Sequence, residues 1–375
     1  MIRLPDHSTP GLALVIGAIG LLACVAGAFF NLRILLAGWL TAVMITIGFP
    51  LGAMTLLMIH GLTGGRWGGA MRPGLRAMTC TLPLALALLV PVAARPDLVF
   101  PWAAHDVAAM PQVVREKLTY LNGPFFLLRF AVCAALWVVL AKSVLNWTDG
   151  DNRIRSSRGF ALGLVVQGAA VSVFSIDWML SLDPELSSTI YGMLEASAEV
   201  VGAASLTLLV LAATRAVEAL PGGGKRTSLG EDVANMLFGF MLAWAYLAYM
   251  QWLVVWAGDL PNDIHWYVLR SSGVWLVLLW LVILLQFAAP FAGFLARDVK
   301  RSHRGLMFLA LALLVGHALE TVWRVRAPLI APQLSSIWIE LAAFSGAGGL
   351  WTAMFLFLLR KPQLQRSWRW IGLHV

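Results

Sequence analysis

Ten apolar stretches, each near the roughly 20 residues a helix needs to cross a bilayer, run along this chain and leave little room for another architecture. They fall at 11–30, 34–59, 76–94, 123–146, 159–181, 189–214, 233–257, 269–296, 305–323 and 336–359. No intervening segment is long enough for a soluble domain. The longest, about 95–122, carries Pro96, Pro101 and Pro111. Composition agrees: only 12% of the 375 residues are charged, half the roughly 25% of soluble domains, and mean hydropathy is +0.80. The expectation is an all-α integral membrane protein of about ten transmembrane helices, a single polytopic domain over 1–375.

The formal net charge of +8 would suggest nucleic acid in a soluble chain. Here the basic residues lie between the apolar stretches, so they report topology and the expected partner is the lipid bilayer, with no nucleic acid. Nineteen Lys and Arg fall at the N-terminus or after even-numbered stretches, against seven on the other side, with Arg129 inside a stretch. By the positive-inside rule both termini are expected on the cytoplasmic face of a bacterial inner membrane. Several tryptophans near span ends, among them Trp39, Trp102, Trp256 and Trp266, suit the headgroup layer. The Gly-rich segment Pro221–Lys225 reads as a linker between two groups of helices.

Cys24, Cys80 and Cys133 lie apart inside apolar stretches, with no C-x-x-C. That spacing argues against a zinc site, an iron–sulfur cluster or covalent haem. His317 is the one histidine well inside a stretch, whereas His60, His105, His265 and His303 sit at ends or in loops and read as solvated. A bis-histidine haem is therefore not expected, nor a metal site.

Polar side chains in hydrocarbon are costly, so their placement is informative. Under the expected topology nearly all lie in the outer half: Arg129 on the fourth stretch, Asp177 and Asp183 on the fifth, Glu195 and Glu199 on the sixth, Gln251 on the seventh, His317 and Glu320 on the ninth, and Glu340 on the tenth. Glu195 and Glu199 are one helical turn apart on one face, which continues through Gly192, Ala196, Gly202 and Ala203. His317, Glu320, Thr321 and Arg324 form a second stripe. Together they suggest a wet or ligand-holding cavity. The plainer alternatives are a solvated Asp177 and Asp183, a Glu320–Arg324 structural pair, and an Arg129 that snorkels to the surface.

Five segments resemble one known family: His60–Gly68 with Arg72-Pro73; Lys117–Phe126 with Arg129; Asp177–Pro184 with Ser188–Gly192; Trp244–Gln251 with Leu260-Pro261 and Trp266-Tyr267; and Pro290-Phe291 with Arg297 and Lys300-Arg301. Their order and spacing, from about His60 to Pro328, resemble the second quinone-binding-type membrane subunit of alternative complex III, a quinol:cytochrome c oxidoreductase, in the NrfD/polysulfide-reductase membrane-anchor superfamily. The chain departs from the family at Pro261-Asn262-Asp263, where Pro-Glu-Glu is usual, and at Glu320, where Asp is usual.

The resemblance implies two four-helix bundles, over 34–181 and 189–323, with a flanking helix at each end. It implies as partners an iron–sulfur/molybdopterin-type subunit, a paralogous membrane subunit and cytochrome c subunits. Haem and iron–sulfur centres are expected only in those partners; a quinone is the one cofactor this chain would share. On this reading Glu195, Glu199, His317, Glu320 and Asp177 form a proton relay. Arg129, Gln251 and Arg324 balance charge or line a quinone pocket. The competing classes are a secondary transporter, suggested by breaks such as Gly48-Phe49-Pro50-Leu51-Gly52, and a purely structural anchor for peripheral redox subunits.

Overall fold

A computed structural model describes residues 9–104, 110–148, 157–215, 229–329 and 336–365. The linker at Pro221–Lys225 and His105 lie outside them. Among the described residues all regular structure is helical, and nine helices are long and apolar enough to cross a membrane. The protein is an all-α, multi-pass integral membrane protein.

The first of the nine, α1 (Thr9–Thr63), is two helices. Its 55 residues would run to about 80 Å if straight, far beyond a bilayer. The break is Asn31, whose backbone is extended (φ −159°, ψ 96°), and whose Oδ1 accepts from Ile34 N at 3.0 Å. That is an N-cap, and it restarts the helix. Contacts with α14 (Ile337–Arg360) show the chain doubling back there. Before Asn31, Gly17 faces Gly349, Gly20 faces Gly346 and Gly27 faces Ile339. After it, Gly38 faces Glu340 and Phe49 lies 4.9 Å from Trp351 between ring centroids. The partner's numbering falls, then rises. Small residues at the first crossing let the two backbones meet.

The third span is α2 (Arg66–Thr79) followed by α3 (Leu82–Ala94), offset by a turn in which Thr81 Oγ1 donates to Met78 O at 2.7 Å. It starts ten residues earlier than its apolar stretch, because α2 is amphipathic and carries Arg66, Arg72 and Arg76. Arg76 is not in a loop: it is buried and donates to Leu145 O and Thr148 Oγ1, both at 2.7 Å. His60 is likewise buried rather than solvated, 3.1 Å from Gly65 O and edge-on to Trp67.

The remaining helices are α4 (Gln112–Lys117), α5 (Gly123–Trp147), α6 (Ser157–Trp178), α7 (Tyr191–Ala213), α8 (Leu229–Gly258), α9 (Pro261–Arg270), α10 (Gly273–Val282), α11 (Ala289–Leu295), α12 (Arg297–Arg301) and α13 (His303–Arg326). A π-helical segment, Ile283–Ala288, joins α10 to α11 within one span. The second half of α1 packs on α2, α3 and α6, and α5 on α6. α7 packs on α8 and α13, and α13 on α10 and the π segment. α7 also touches α1, α2 and α6, which places it at the centre of the packing.

Candidate functional site

Five of the ionisable residues singled out in the sequence converge where α7 crosses α13 and the second half of α1. Glu195, Glu199, His317, Glu320 and Arg324 are all less than 5% exposed. Pro50 lacks the N–H that would bond to Thr46 O, which loosens α1 there. Close packing brings the helices together: a Cβ on Gly52 would stand 2.0 Å from Glu199 O. A Cβ on Gly48 would stand 3.5 Å from Glu199 Cγ and 3.7 Å from His317 Nε2. The glycine thus lies between the carboxylate stem and the imidazole.

Arg324 lies at the centre of the charge distribution. Its Nη2 is 2.7 Å from Glu195 Oε2 and its Nε 3.4 Å from Glu320 Oε1. None of its three guanidinium nitrogens makes an aligned hydrogen bond, so these contacts are electrostatic and poorly directed. Glu320 is better held: Trp244 Nε1 donates to Oε1 at 3.1 Å and Gln286 Nε2 to Oε2 at 2.7 Å. Both nitrogens of His317 are buried without a partner. The ring packs against Gly202 and stands edge-on to Phe49 at 6.1 Å. No hydrogen bond holds the Glu199 carboxylate among the described residues.

Two carboxylates, Glu195 and Glu320, are therefore paired to one guanidinium, and Glu199 and His317 lie one helical turn away from them on the same helices. With His317 neutral, the group has no net charge only when it carries two protons. Buried charge without compensation is costly, so charge balance and proton occupancy are linked here.

Asp177 and Arg129 stand apart from this group. They form a bidentate pair, Nε to Oδ2 at 2.7 Å and Nη2 to Oδ1 at 2.8 Å. Arg129 also donates to Tyr120 O at 2.8 Å and lies between the Tyr120 and Phe125 rings. Such a geometry satisfies both partners. Gln251 is elsewhere again, its Oε1 accepting from Ser188 Oγ. Asp183 is buried and lies 3.5 Å from Arg270 Nη1.

Sequence reasoning did not assign Trp244, Gln286, Arg270 or Tyr191 to the site; the buried Tyr191 ring lies 5.8 Å from the Arg324 guanidinium carbon. Gln286 sits in the π segment, a feature frequent at functional sites, followed by Pro290, which removes the N–H that would bond to Gln286 O. A lone Gln within an apolar stretch, four residues before Pro, was the available signal. Arg270 counts as a loop charge in the topology argument, yet it is 1% exposed and donates to Trp266 O at 2.9 Å and Arg324 O at 3.0 Å. Burial lowers its pKa to about 10, an effect opposed by Asp183. Its bond to Arg324 O fixes the end of α13 that carries the cluster. No histidine, cysteine and carboxylate group among the described residues is arranged to hold a metal ion.

No protein-family model matches the chain, and no curated protein matches it.

Proposed function

We propose that this chain is a membrane subunit of a respiratory quinol:electron-acceptor oxidoreductase of the alternative complex III kind, and that its buried acidic cluster handles protons. Quinol oxidation releases two electrons and two protons. Haem and iron–sulfur centres in partner subunits would supply the electron acceptors, and this chain's residues would take the protons. The observation that carries the reading is the cluster itself: Glu195, Glu199, Glu320 and His317 buried together with a single arginine, Arg324, paired to two of the carboxylates. Glu199 and His317, which have no hydrogen-bond partners, exchange protons most readily. Glu195, Glu320 and Arg324 set the local field, while Trp244 and Gln286 orient Glu320. Arg129–Asp177 is a structural clasp between the start of α5 and the end of α6, not a relay step.

On this reading the protein lies in a bacterial inner membrane with both termini cytoplasmic and the cluster toward the outer side. The family resemblance and the distribution of basic residues support that orientation. The partners are the iron–sulfur/molybdopterin-type subunit, the paralogous membrane subunit and the cytochrome c subunits, and a quinone is the shared small molecule.

Purification of the native assembly in mild detergent, with haem and iron assayed, tests the assignment. Co-purified haem and iron–sulfur subunits support it, and a metal-free protein isolated alone sinks it in favour of a transporter. Within a redox-active assembly, Glu199→Gln, His317→Ala and Glu320→Gln should slow quinol oxidation and proton release. Unchanged rates in all three would leave a structural anchor as the better reading.

A further inference from the structure

A second feature owes nothing to the buried cluster. Where α8 ends and α9 begins, a cleft of about 540 Å³ opens between the two helices, lined by Trp252, Trp256, Asp259, Ile264 and Tyr267 among others. Its volume is within the usual range of small-ligand sites. One wall is aromatic: the Trp252 and Trp256 rings stack at 5.8 Å between centroids and 14° between planes. Tyr267 and Ile264 supply the opposite wall from α9.

The acidic residue in the cleft is Asp259. It occupies the left-handed region at φ 47°, which Asp tolerates better than most residues, and its carboxylate is exposed at the turn. No ion pair neutralises it among the described residues. Aromatic faces together with an unpaired carboxylate are the recognition elements for an organic ammonium. The location narrows the source. The cleft lies at the end of a transmembrane helix, and the adjoining face of α8 exposes Leu242, Tyr246 and Tyr249. That face is a surface for acyl chains, continuous with the ammonium site.

We propose that this cleft binds the headgroup of an ammonium-bearing phospholipid, phosphatidylethanolamine. The ammonium sits against Trp252, Trp256 and Tyr267 and pairs with Asp259, while the acyl chains run along α8. The headgroup amine keeps its charge and no covalent step is involved. The site would anchor the α8–α9 corner at the membrane surface.

The test uses the full-length protein reconstituted in vesicles of equal parts phosphatidylethanolamine and phosphatidylglycerol. The protein is re-extracted in mild detergent and its retained lipids are quantified by mass spectrometry. The wild type should retain phosphatidylethanolamine with a preference on the order of tenfold over phosphatidylglycerol. Asp259→Asn keeps the turn and removes the charge; Trp256→Leu removes half of the stacked wall. Both residues are exposed, so both variants should fold, and each should lose most of the preference. A retained ratio equal to the bulk mixture in the wild type overturns the proposal, as does a preference that survives both substitutions. Recovery of a quinone in place of the phospholipid overturns it too.

Discussion

Arg324 reaches from α13 to within 2.7 Å of the Glu195 carboxylate on α7, yet no N–H of its guanidinium is aligned with an acceptor. The pair holds two helices together by charge while leaving donors uncommitted. Such a pair is destabilising if broken on one side only, because the survivor is a buried, uncompensated charge. Arg324→Gln is expected to cost about 3–5 kcal/mol. The double variant Glu195→Gln/Arg324→Gln should recover part of that loss. Thermal unfolding of the detergent-solubilised protein reads both. A double variant no more stable than Arg324→Gln would mean that Glu320, not Glu195, is the electrostatic partner that matters.

Gly52 is the tightest crossing at the site. A methyl group there meets the Glu199 carbonyl carbon at 2.4 Å as well as its oxygen, and backbone cannot swing aside as a side chain can. Gly52→Ala should therefore push α1 away from α7 and destabilise the protein by at least the 1–3 kcal/mol typical of overpacking. Gly348→Ala, on α14 with nothing within 4 Å of the new Cβ, is the neutral control. Equal unfolding temperatures for the two variants would show that α1 and α7 have slack at this point.

Much of the architecture was legible in the sequence because hydrocarbon imposes a length and a polarity on each span. The ten stretches correspond to the nine long helices once the reversal at Asn31 is counted. Asn31 was readable only as a polar residue between two apolar runs; that it caps a helix and reverses the chain follows from contacts with α14. The convergence of Glu195, Glu199, His317 and Glu320 was legible for a related reason, since buried ionisable groups gather where they can compensate one another. What the sequence could not separate was Asp177 from that group. Depth along the bilayer is one coordinate, and residues at similar depth on α6 and α13 need not touch. Arg129, one helix away from Asp177, closes the pair and removes both from the cluster. Arg270 and Arg76 were misread as loop charges because positive-inside counting weighs position along the chain and not burial.

Tyr120 precedes α5, outside the membrane-spanning segments, with its ring 3.7 Å from the Arg129 guanidinium carbon. Burial, aided by the nearby Asp177 charge, raises its phenol to about 12. A group raised in the folded state contributes stability that is fully present below its unfolded pKa, near 10, and is lost as pH rises through the folded value. The folded state holds the proton longer, so stability should fall between about pH 10 and 12. Tyr120→Phe has no phenol to titrate, and its unfolding temperature should decline less steeply over that interval. Parallel curves for wild type and variant would place the alkaline loss elsewhere.

Gln286 and Pro290 test whether the π segment serves Glu320. Gln286 donates to Glu320 at 2.7 Å, and its own Oε1 has no partner, so the contact is its one side-chain hydrogen bond. Pro290→Ala restores an N–H opposite Gln286 O and permits the segment to close into α-helix. Removing the extra residue of the π turn would rotate the preceding side chains by about 100° and withdraw Gln286. Close approach resists this on one side only: a Cβ on Gly316 would stand 2.8 Å from Gln286 Cβ. Pro290→Ala and Gln286→Leu should therefore produce the same shift in a carboxyl infrared band that Glu320→Gln abolishes. Pro290→Ala alone should also slow amide exchange over 283–288. If Pro290→Ala leaves both the band and the exchange as in the wild type, packing against α13 rather than the proline maintains the π turn. Glu320 would then keep its donor whichever residue stands at 290.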